Sequence, residues 1–473
     1  MEEETDLFKG NRSLHNWFVG ILLAGTFTMS ISQSSLSTAY PTLMRYFGVS
    51  ATTIQWLTTG FMLVMCIMMP ISPWLLSNVS LKHLFQAVLL LFDLGTLIIL
   101  FAPSFPVMML GRILEAMGVG ILFPSYQSVM LTITPEESRG VTMGVVGLVM
   151  GSALAVGPII SGIVLKFTTW QGLFIVFAVI ITVVWLLSFK FISDVMTLKR
   201  TKLDYISVIS SLGFIGILYV INQIGKTQVN WSQQLILLVV SILAVGYFVF
   251  RQFHQKTPML ELRVLKTFNY DLAVLLTGVS YIALIVTTII FPLYYQEILH
   301  LSPFVSGMAL VPGAVFLSIL NPVSGKLADR IGFKRVLLIG MSMITLGWGI
   351  LFVFFSGVHL IGMIVLAMLI EGGNAFVMMP AVTLGANSLP DKLIAHGTAV
   401  ITTVRQILGS LGVACATIIL TVVTNNHLAK GEHVAIASQM GYRAVFFTFF
   451  LVAIVGLLLA ISLKNSEKQG VNR

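Results

Sequence analysis

The sequence predicts an all-α integral membrane protein. It is expected to have fourteen transmembrane helices, arranged as two six-helix bundles of the same orientation plus two inserted helices. Three observations carry this reading. Charged residues are 10% of the 473 and hydrophobic residues 57%, whereas a soluble protein carries about 25% charged residues and cannot cover so much apolar surface. The apolar residues are gathered into long continuous runs, unlike the roughly ten-residue alternating segments of a membrane barrel. Lys and Arg collect on one side of those runs. A soluble enzyme, a secreted disulfide scaffold, a disordered chain and a nucleic-acid binder are excluded. Cys66 and Cys415 sit inside apolar runs and offer no disulfide framework or metal-ligand spacing.

A helix needs roughly 20 apolar residues to cross the hydrocarbon core. Such runs fall at about 17–40, 54–76, 82–102, 106–132, 141–165, 171–192, 205–225, 233–253, 270–296, 305–328, 334–355, 358–387, 398–424 and 443–463. The polar stretch before the first run, and the length of that run, mark an uncleaved span rather than a signal peptide. With the N-terminus placed in the cytoplasm, only Arg45, Lys166, Lys226, Lys430 and Arg443 fall outside, and Arg112 and Arg405 lie within spans. The rest of the 27 basic residues, from Lys9 and Arg12 to Lys468 and Arg473, fall inside. This bias predicts both termini cytoplasmic and explains the net charge of +9.

The chain also resembles itself. Tyr40-Pro41 matches Phe291-Pro292, Val49-Ser50 matches Leu301-Ser302, Pro70 matches Pro322, and Pro124 matches Pro380. Pro135 to Gly140 matches Pro390 to Gly397, and the offset grows slowly from 251 to 257. These matches define an N-terminal six-helix bundle at 1–193, two inserted helices with their linkers at 194–263, and a C-terminal six-helix bundle at 264–473. An even insert keeps the second half in register with the membrane. Parallel repeats about an axis along the membrane normal are one architecture of secondary transporters.

Motifs in three places give the resemblance. Gly325-Lys326-Leu327-Ala328-Asp329-Arg330-Ile331-Gly332-Phe333-Lys334-Arg335 is similar to the cytoplasmic loop motif of the major facilitator superfamily. Gly111-Arg112-Ile113-Leu114-Glu115-Ala116-Met117-Gly118 in span 4 resembles its buried-arginine motif. Gly147, Gly151, Gly157, Pro158 and Gly162 in span 5 resemble the glycine–proline motif of its antiporters. Over nearly its whole length the chain looks like the 14-span drug:proton antiporter branch. The resemblance implies a latch role for Gly325, Asp329, Arg330 and Gly332, proton coupling at Arg112, and a bendable closing helix at Gly157 and Pro158. There are departures. The first-half loop, Ser72 to Lys82, has Ser77 in the place of Asp329, so the second-half loop is expected to carry most of the latch. Glu115 stands where the family usually has Gln. Span 1 has Ser32 where many members have an acid.

Asp93, Arg112, Glu115, Glu371 and Arg405 are the charged side chains placed well inside spans. Each costs about 2.5–3.5 kcal/mol to insert, so each needs a reason. An antiporter needs a group that holds either a proton or a cationic substrate, and a carboxylate does both. Glu115 lies three residues from Arg112 on one helix face. It reads as a proton site, or otherwise as a permanent buried ion pair. Glu371 precedes Pro380 by the same nine residues that separate Glu115 from Pro124, so the two are repeat-related. With Met368 in the place of Arg112, Glu371 is a proton or cation site or a structural bond to a neighbouring helix. Asp93 is a further coupling candidate or a helix–helix hydrogen bond. Arg405 is a counter-charge for Glu371 or a partner of backbone carbonyls.

Span 1 is polar on one face, through Thr26, Ser30, Gln33, Ser34 and Ser37, and that face is expected to line water or another helix. Candidate substrate contacts are Gln33, Tyr40, Trp56, Tyr126, Tyr294, Asn374, Phe376, Met378 and Arg405. Aromatics bind flat cations and Met adapts its shape. No nucleotide-binding loop, metal cluster or nucleophile motif appears, so the chain does not read as an enzyme. No cofactor is expected, and energy must come from an ion gradient. The expected protein is a monomeric, proton-coupled multidrug exporter of the bacterial plasma membrane. Its expected partners are small-molecule drugs, protons and the lipid bilayer, with no nucleic acid. The alternatives are a proton-coupled exporter of one endogenous metabolite or lipid precursor, and a non-transporting membrane sensor or scaffold. The intramembrane carboxylates speak against the scaffold, which has no need of them.

Overall fold

Inside a bilayer every backbone N–H and C=O must be satisfied within the protein, which a helix does by itself. The protein, described by a computed structural model, follows that rule. The structure describes residues 12–199, 201–224, 229–355 and 359–464. Of the orienting cations, Lys9, Arg200, Lys226, Lys468 and Arg473, together with the side chains of Arg12 and Ser37, lie outside the described residues. The described residues form seventeen α-helices in order: α1 (Arg12–Phe47), α2 (Ala51–Ile54), α3 (Trp56–Asn78), α4 (Leu81–Leu100), α5 (Phe105–Ile133), α6 (Arg139–Phe167), α7 (Trp170–Phe191), α8 (Tyr205–Ser211), α9 (Gly213–Gln223), α10 (Trp231–His254), α11 (Phe268–Glu297), α12 (Pro303–Met308), α13 (Val311–Ile331), α14 (Phe333–Phe354), α15 (Leu360–Asn387), α16 (Ile394–Ala429) and α17 (Val434–Ser462). Among the described residues there is no strand.

Among the described residues thirteen helical segments are long and apolar enough to cross a membrane, and Tyr205–Ile221 is a shorter apolar helix. The expected fourteen spans are thus accounted for, with the seventh the weakest. It breaks at Leu212, between α8 and α9. The local cause is visible. Ser210 and Ser211 hydroxyls donate to the carbonyls of Ser207 and Val208 three residues back, competing with the helix ladder. Gly213 and Gly216 then bring α9 so close to α10 that a Cβ on either would strike Ser241. Span 1 also differs: Pro41 lies inside α1 instead of ending it.

The helices form two compact units. Unit 1 takes the residues up to Thr134, Val149–Arg263 and Asp391–Thr403. Unit 2 takes Pro135–Leu148, Val264–Pro390 and the residues from Val404. Residues 135–148 thus group with unit 2, and 391–403 and the inserted helices group with unit 1. Unit 1 is built on close glycine crossings. A Cβ on Gly95 would meet the Gly111 carbonyl, and one on Gly111 would meet the Gly95 carbonyl, which pins α4 to α5. Small residues let helices approach this closely in lipid, where burial alone gives no driving force. Trp56 of α3 stacks on Tyr219 of α9 at 5.7 Å and docks the insert. Unit 2 joins α14 to α15 through Gly340, Gly347 and Gly373. An aromatic pile holds α11, α14 and α17, with Trp348 5.9 Å from Phe291 and 5.6 Å from Phe449. Outward faces of α7 and α10 expose Val179, Val183, Ile236, Val240 and Leu243, as a lipid-facing surface requires.

Candidate functional site

In unit 1, α5 carries Arg112 and Glu115 one turn apart, so both side chains leave the helix on one face. Arg112 Nη1 donates to Glu115 Oε2 at 2.5 Å. Arg112 is 1% exposed and Glu115 0%. Both charges have further partners. Thr96 Oγ1 of α4 donates to Glu115 Oε1 at 2.8 Å. Arg112 Nε reaches the Leu57 carbonyl of α3 at 3.4 Å, and its guanidinium lies 4.2 Å from the centre of the Phe61 ring. The close crossing at Gly95 and Gly111 delivers Thr96 to Glu115.

In unit 2, α15 carries Glu371, 6% exposed. Its oxygen Oε2 accepts from Asn374 Nδ2 at 3.3 Å, and Asn374 Oδ1 accepts from Ser280 Oγ of α11 at 2.8 Å. Gly313 of α13 faces the Glu371 Cγ, where an added Cβ would sit 3.3 Å away. The Arg405 guanidinium lies 5.2 Å from the centre of the Tyr281 ring, and Tyr281 donates to Gln406 Oε1 at 3.2 Å. Glu371 is thus held by a neutral amide, and Arg405 is placed on an aromatic face.

Unit 2 also contains Gly325, Asp329, Arg330 and Gly332. Asp329 accepts from two backbone donors at the start of α6, Gly140 N at 3.0 Å to Oδ1 and Val141 N at 2.8 Å to Oδ2. A carboxylate at a helix N-terminus meets orphan N–H groups and the positive end of the helix dipole. The seam beneath it is made of small residues. A Cβ on Gly140 would strike Asp329, one on Gly325 would strike the Gly140 carbonyl, and one on Gly144 would meet the Asn321 carbonyl. Arg139 adds a bond to Asn387 Oδ1 at 3.1 Å. Gly332 ends α13 at φ +92, a conformation that favours glycine, and Arg330 is exposed.

The other candidates are distributed. Asp93 Oδ2 accepts from Thr182 of α7 at 2.6 Å. Tyr40 is hydrogen-bonded to Thr58. Tyr126 donates to Met150 Sδ at 2.7 Å, and Tyr294 to the Phe355 carbonyl at 3.1 Å. Trp56 is occupied by the Tyr219 stack. Phe376 packs with Leu284 and Leu317, Met378 is buried and Gln33 is half-buried. Gly157 lies against Ser34 of α1, which donates to the Ala153 carbonyl at 2.8 Å, and Pro158 lies inside α6. The structure therefore unites Arg112 with Glu115, Glu371 with Asn374, and Gly325 with Asp329. Sequence reasoning missed Thr96, Phe61, Ser280, Tyr281 and Asn321. For the glycine seam between α6 and α13 a signal existed, because Gly140 and Gly144 have the four-residue spacing of close helix crossings. Among the described residues no cluster of three or more His, Cys, Asp or Glu side chains is placed to hold a metal ion.

Comparison with known proteins agrees with this architecture. The sequence model of the Major Facilitator Superfamily matches residues 22–413. The chain is 38% identical over 460 residues to the uncharacterized MFS-type transporter YcnB of Bacillus subtilis (strain 168), covering 97% of this chain and 96% of that one. It is 33% identical over 452 residues to the lincomycin resistance protein LmrB of Listeria monocytogenes, covering 94% and 96%. Among solved structures, the proton:xylose symporter XylE superposes with a TM-score of 0.66 at 12% identity, covering 95% of each chain. The human organic anion transporter MFSD10 superposes at 0.64 with 11% identity, covering 94% of this chain and 99% of that one. The chain belongs to the Major Facilitator Superfamily and is a multi-pass membrane transporter of that family, not an enzyme.

Proposed function

We propose that the protein is a proton-coupled multidrug efflux antiporter. It works as a monomer in the bacterial plasma membrane, with both termini cytoplasmic, and is driven by the proton gradient without a cofactor. It exports hydrophobic and cationic compounds by alternating access. The observation that carries this reading is the pair of repeat-related buried carboxylates, Glu115 and Glu371, in membrane helices. A buried carboxylate must be compensated by a proton, a cation or a fixed partner. A group that accepts either of the first two in turn is an exchange site. Glu371, which accepts from the Asn374 amide and has no arginine one turn before it, is the better exchanger. Glu115 adds a second site whose proton affinity is governed by Arg112. The names of relatives support drugs as the cargo class, since LmrB of Listeria monocytogenes and the multidrug resistance protein B homolog of Mycobacterium tuberculosis are named for resistance.

The test is drug-evoked proton movement in everted membrane vesicles, scanned over a panel of unrelated cationic and neutral compounds. Several unrelated hydrophobic cations are expected to evoke proton release. A response confined to one compound would replace this reading with a dedicated exporter, and no response to any would remove proton coupling.

A further inference from the structure

We propose that the two linkers of the inserted helices form a strap that positions the first turns of α16, doing in unit 1 what the Asp329 carboxylate does at α6 in unit 2. The repeat offsets of 252 and 257 put Ser77 in the place of Asp329 and Gly397 in the place of Gly140. Ser77 has no carboxylate to offer a helix start. Its carbonyl instead accepts from Lys199 N of the first linker at 2.7 Å. The same linker is tied at three further points. Thr201 N donates to Asn78 Oδ1 at 2.5 Å, Trp74 Nε1 donates to the Thr201 carbonyl at 3.2 Å, and Lys82 N donates to Asp194 Oδ1 at 2.9 Å.

The chain of bonds continues into the insert. Asp204 receives Arg251 in a fork, Nε at 2.8 Å and Nη2 at 3.0 Å, and also Gln255 Nε2 at 2.8 Å. Gln252 is 0% exposed. Its amide is used at both ends, donating to Ser207 Oγ at 2.6 Å and accepting from Leu260 N at 3.0 Å. From there the second linker reaches α16, where Glu261 N donates to His396 Nδ1 at 3.2 Å. Ser128 of α5 and Thr398 share a further hydroxyl–hydroxyl bond. Three groups of hydrogen bonds, joined through the backbone at 201–204 and 260–261, therefore lead from the α3–α4 loop through the insert to the start of α16. Each bond is weak by itself, but rigid helices between them transmit the restraint. His396 and Gln252 are positioning residues in this scheme. The insert is a mechanical part of the transport cycle, which goes beyond the choice of cargo or coupling ion.

The test is hydrogen exchange, read by mass spectrometry on the full chain in lipid nanodiscs without any substrate. His396→Ala is expected to raise exchange in both 255–263 and 391–403 by about five- to tenfold, the loss of one hydrogen bond. His396→Asn, whose Oδ1 stands where Nδ1 stood, is expected to remain like wild type. Glu261→Pro removes the donor and is expected to loosen 391–403 as His396→Ala does. Gln252→Ala is expected to loosen 194–204 as well. Unchanged exchange in His396→Ala, or equal loosening in His396→Asn, would overturn the strap. This arm needs no cargo, so its failure is separate from failure of the efflux reading. In ethidium export, His396→Ala is expected to alter the maximal rate with half-saturation unchanged. A shift in half-saturation alone would count against a positioning role.

Discussion

Unit 1 and unit 2 place a carboxylate at the same repeat position and surround it differently. Glu115 faces Arg112, Thr96 and, through the guanidinium, Phe61. At the offsets of 256 and 252, the corresponding positions around Glu371 are Met368, Trp348 and Gly313. One carboxylate thus has an arginine beside it, and the other has an amide and the close approach of Gly313. The comparison teaches that a duplicated scaffold can separate two tasks. On the proposed reading both acids exchange a proton, Glu115 under the control of the arginine beside it and Glu371 with an amide beside it, where a cation can take the proton's place. The loop motifs also differ, with Asp329 in one unit and Ser77 in the other.

Four experiments test this division, ordered by expected effect. Arg112→Ala leaves Glu115 buried without its cation and is expected to cost about 3–5 kcal/mol of stability. Met368→Ala at the matching position is expected to cost about 1 kcal/mol. Thermal unfolding in detergent compares them, and equal losses would erase the distinction between the two sites. Glu371→Gln keeps the shape and removes the exchangeable charge, so coupled export is expected to fall about 100-fold, the scale of losing one acid–base group. Uphill drug transport in proteoliposomes reads this, and wild-type rates would contradict it.

Asp329→Asn keeps one acceptor at the α6 N-terminus and loses the charge. It is expected to slow the maximal rate about tenfold, near the worth of a charge-assisted hydrogen bond, with little change in half-saturation. An unchanged rate at saturating drug would remove the latch. The smallest effect concerns the strap. Burial raises the pKa of the Asp204 carboxyl, but the donors Arg251, Ser207 and Gln255 outweigh it and hold the group well below the usual carboxylate range. A depressed folded value gives stability that is complete above the unfolded pKa of about 3.9 and is lost only as pH falls through the folded one. Asp204→Asn is therefore expected to lower the melting temperature by a few degrees, equally at pH 8 and pH 5. A deficit that disappears by pH 5 would show that the clamp is not ionised as described.

Much of this was legible in the sequence. The fourteen runs, the paired prolines and the spacing of Arg112 to Glu115 depend on period and offset, which a linear pattern displays directly. The partner of Glu115 on its own helix was readable for that reason, and Thr96 was not, because it arrives by the Gly95–Gly111 crossing of two helices. Tyr40, Trp56 and Tyr294 were candidates by chemistry alone. The structure gives each a protein partner, since an aromatic ring in a membrane protein serves packing as readily as binding. The break at Leu212 was hidden because hydropathy ignores serine hydroxyls that return to the backbone. The strap was hidden for another reason: Asn78, Gln252 and His396 are far apart in sequence and belong to no motif.

The central claim is that Glu115 and Glu371 exchange protons for cargo. The most direct measurement is the proton flux that a cationic drug evokes in proteoliposomes holding wild type, Glu115→Gln or Glu371→Gln. The claim predicts a clear counterflux in wild type and its loss in each variant, with all three proteins inserted and folded. Wild-type counterflux in both single variants would contradict it.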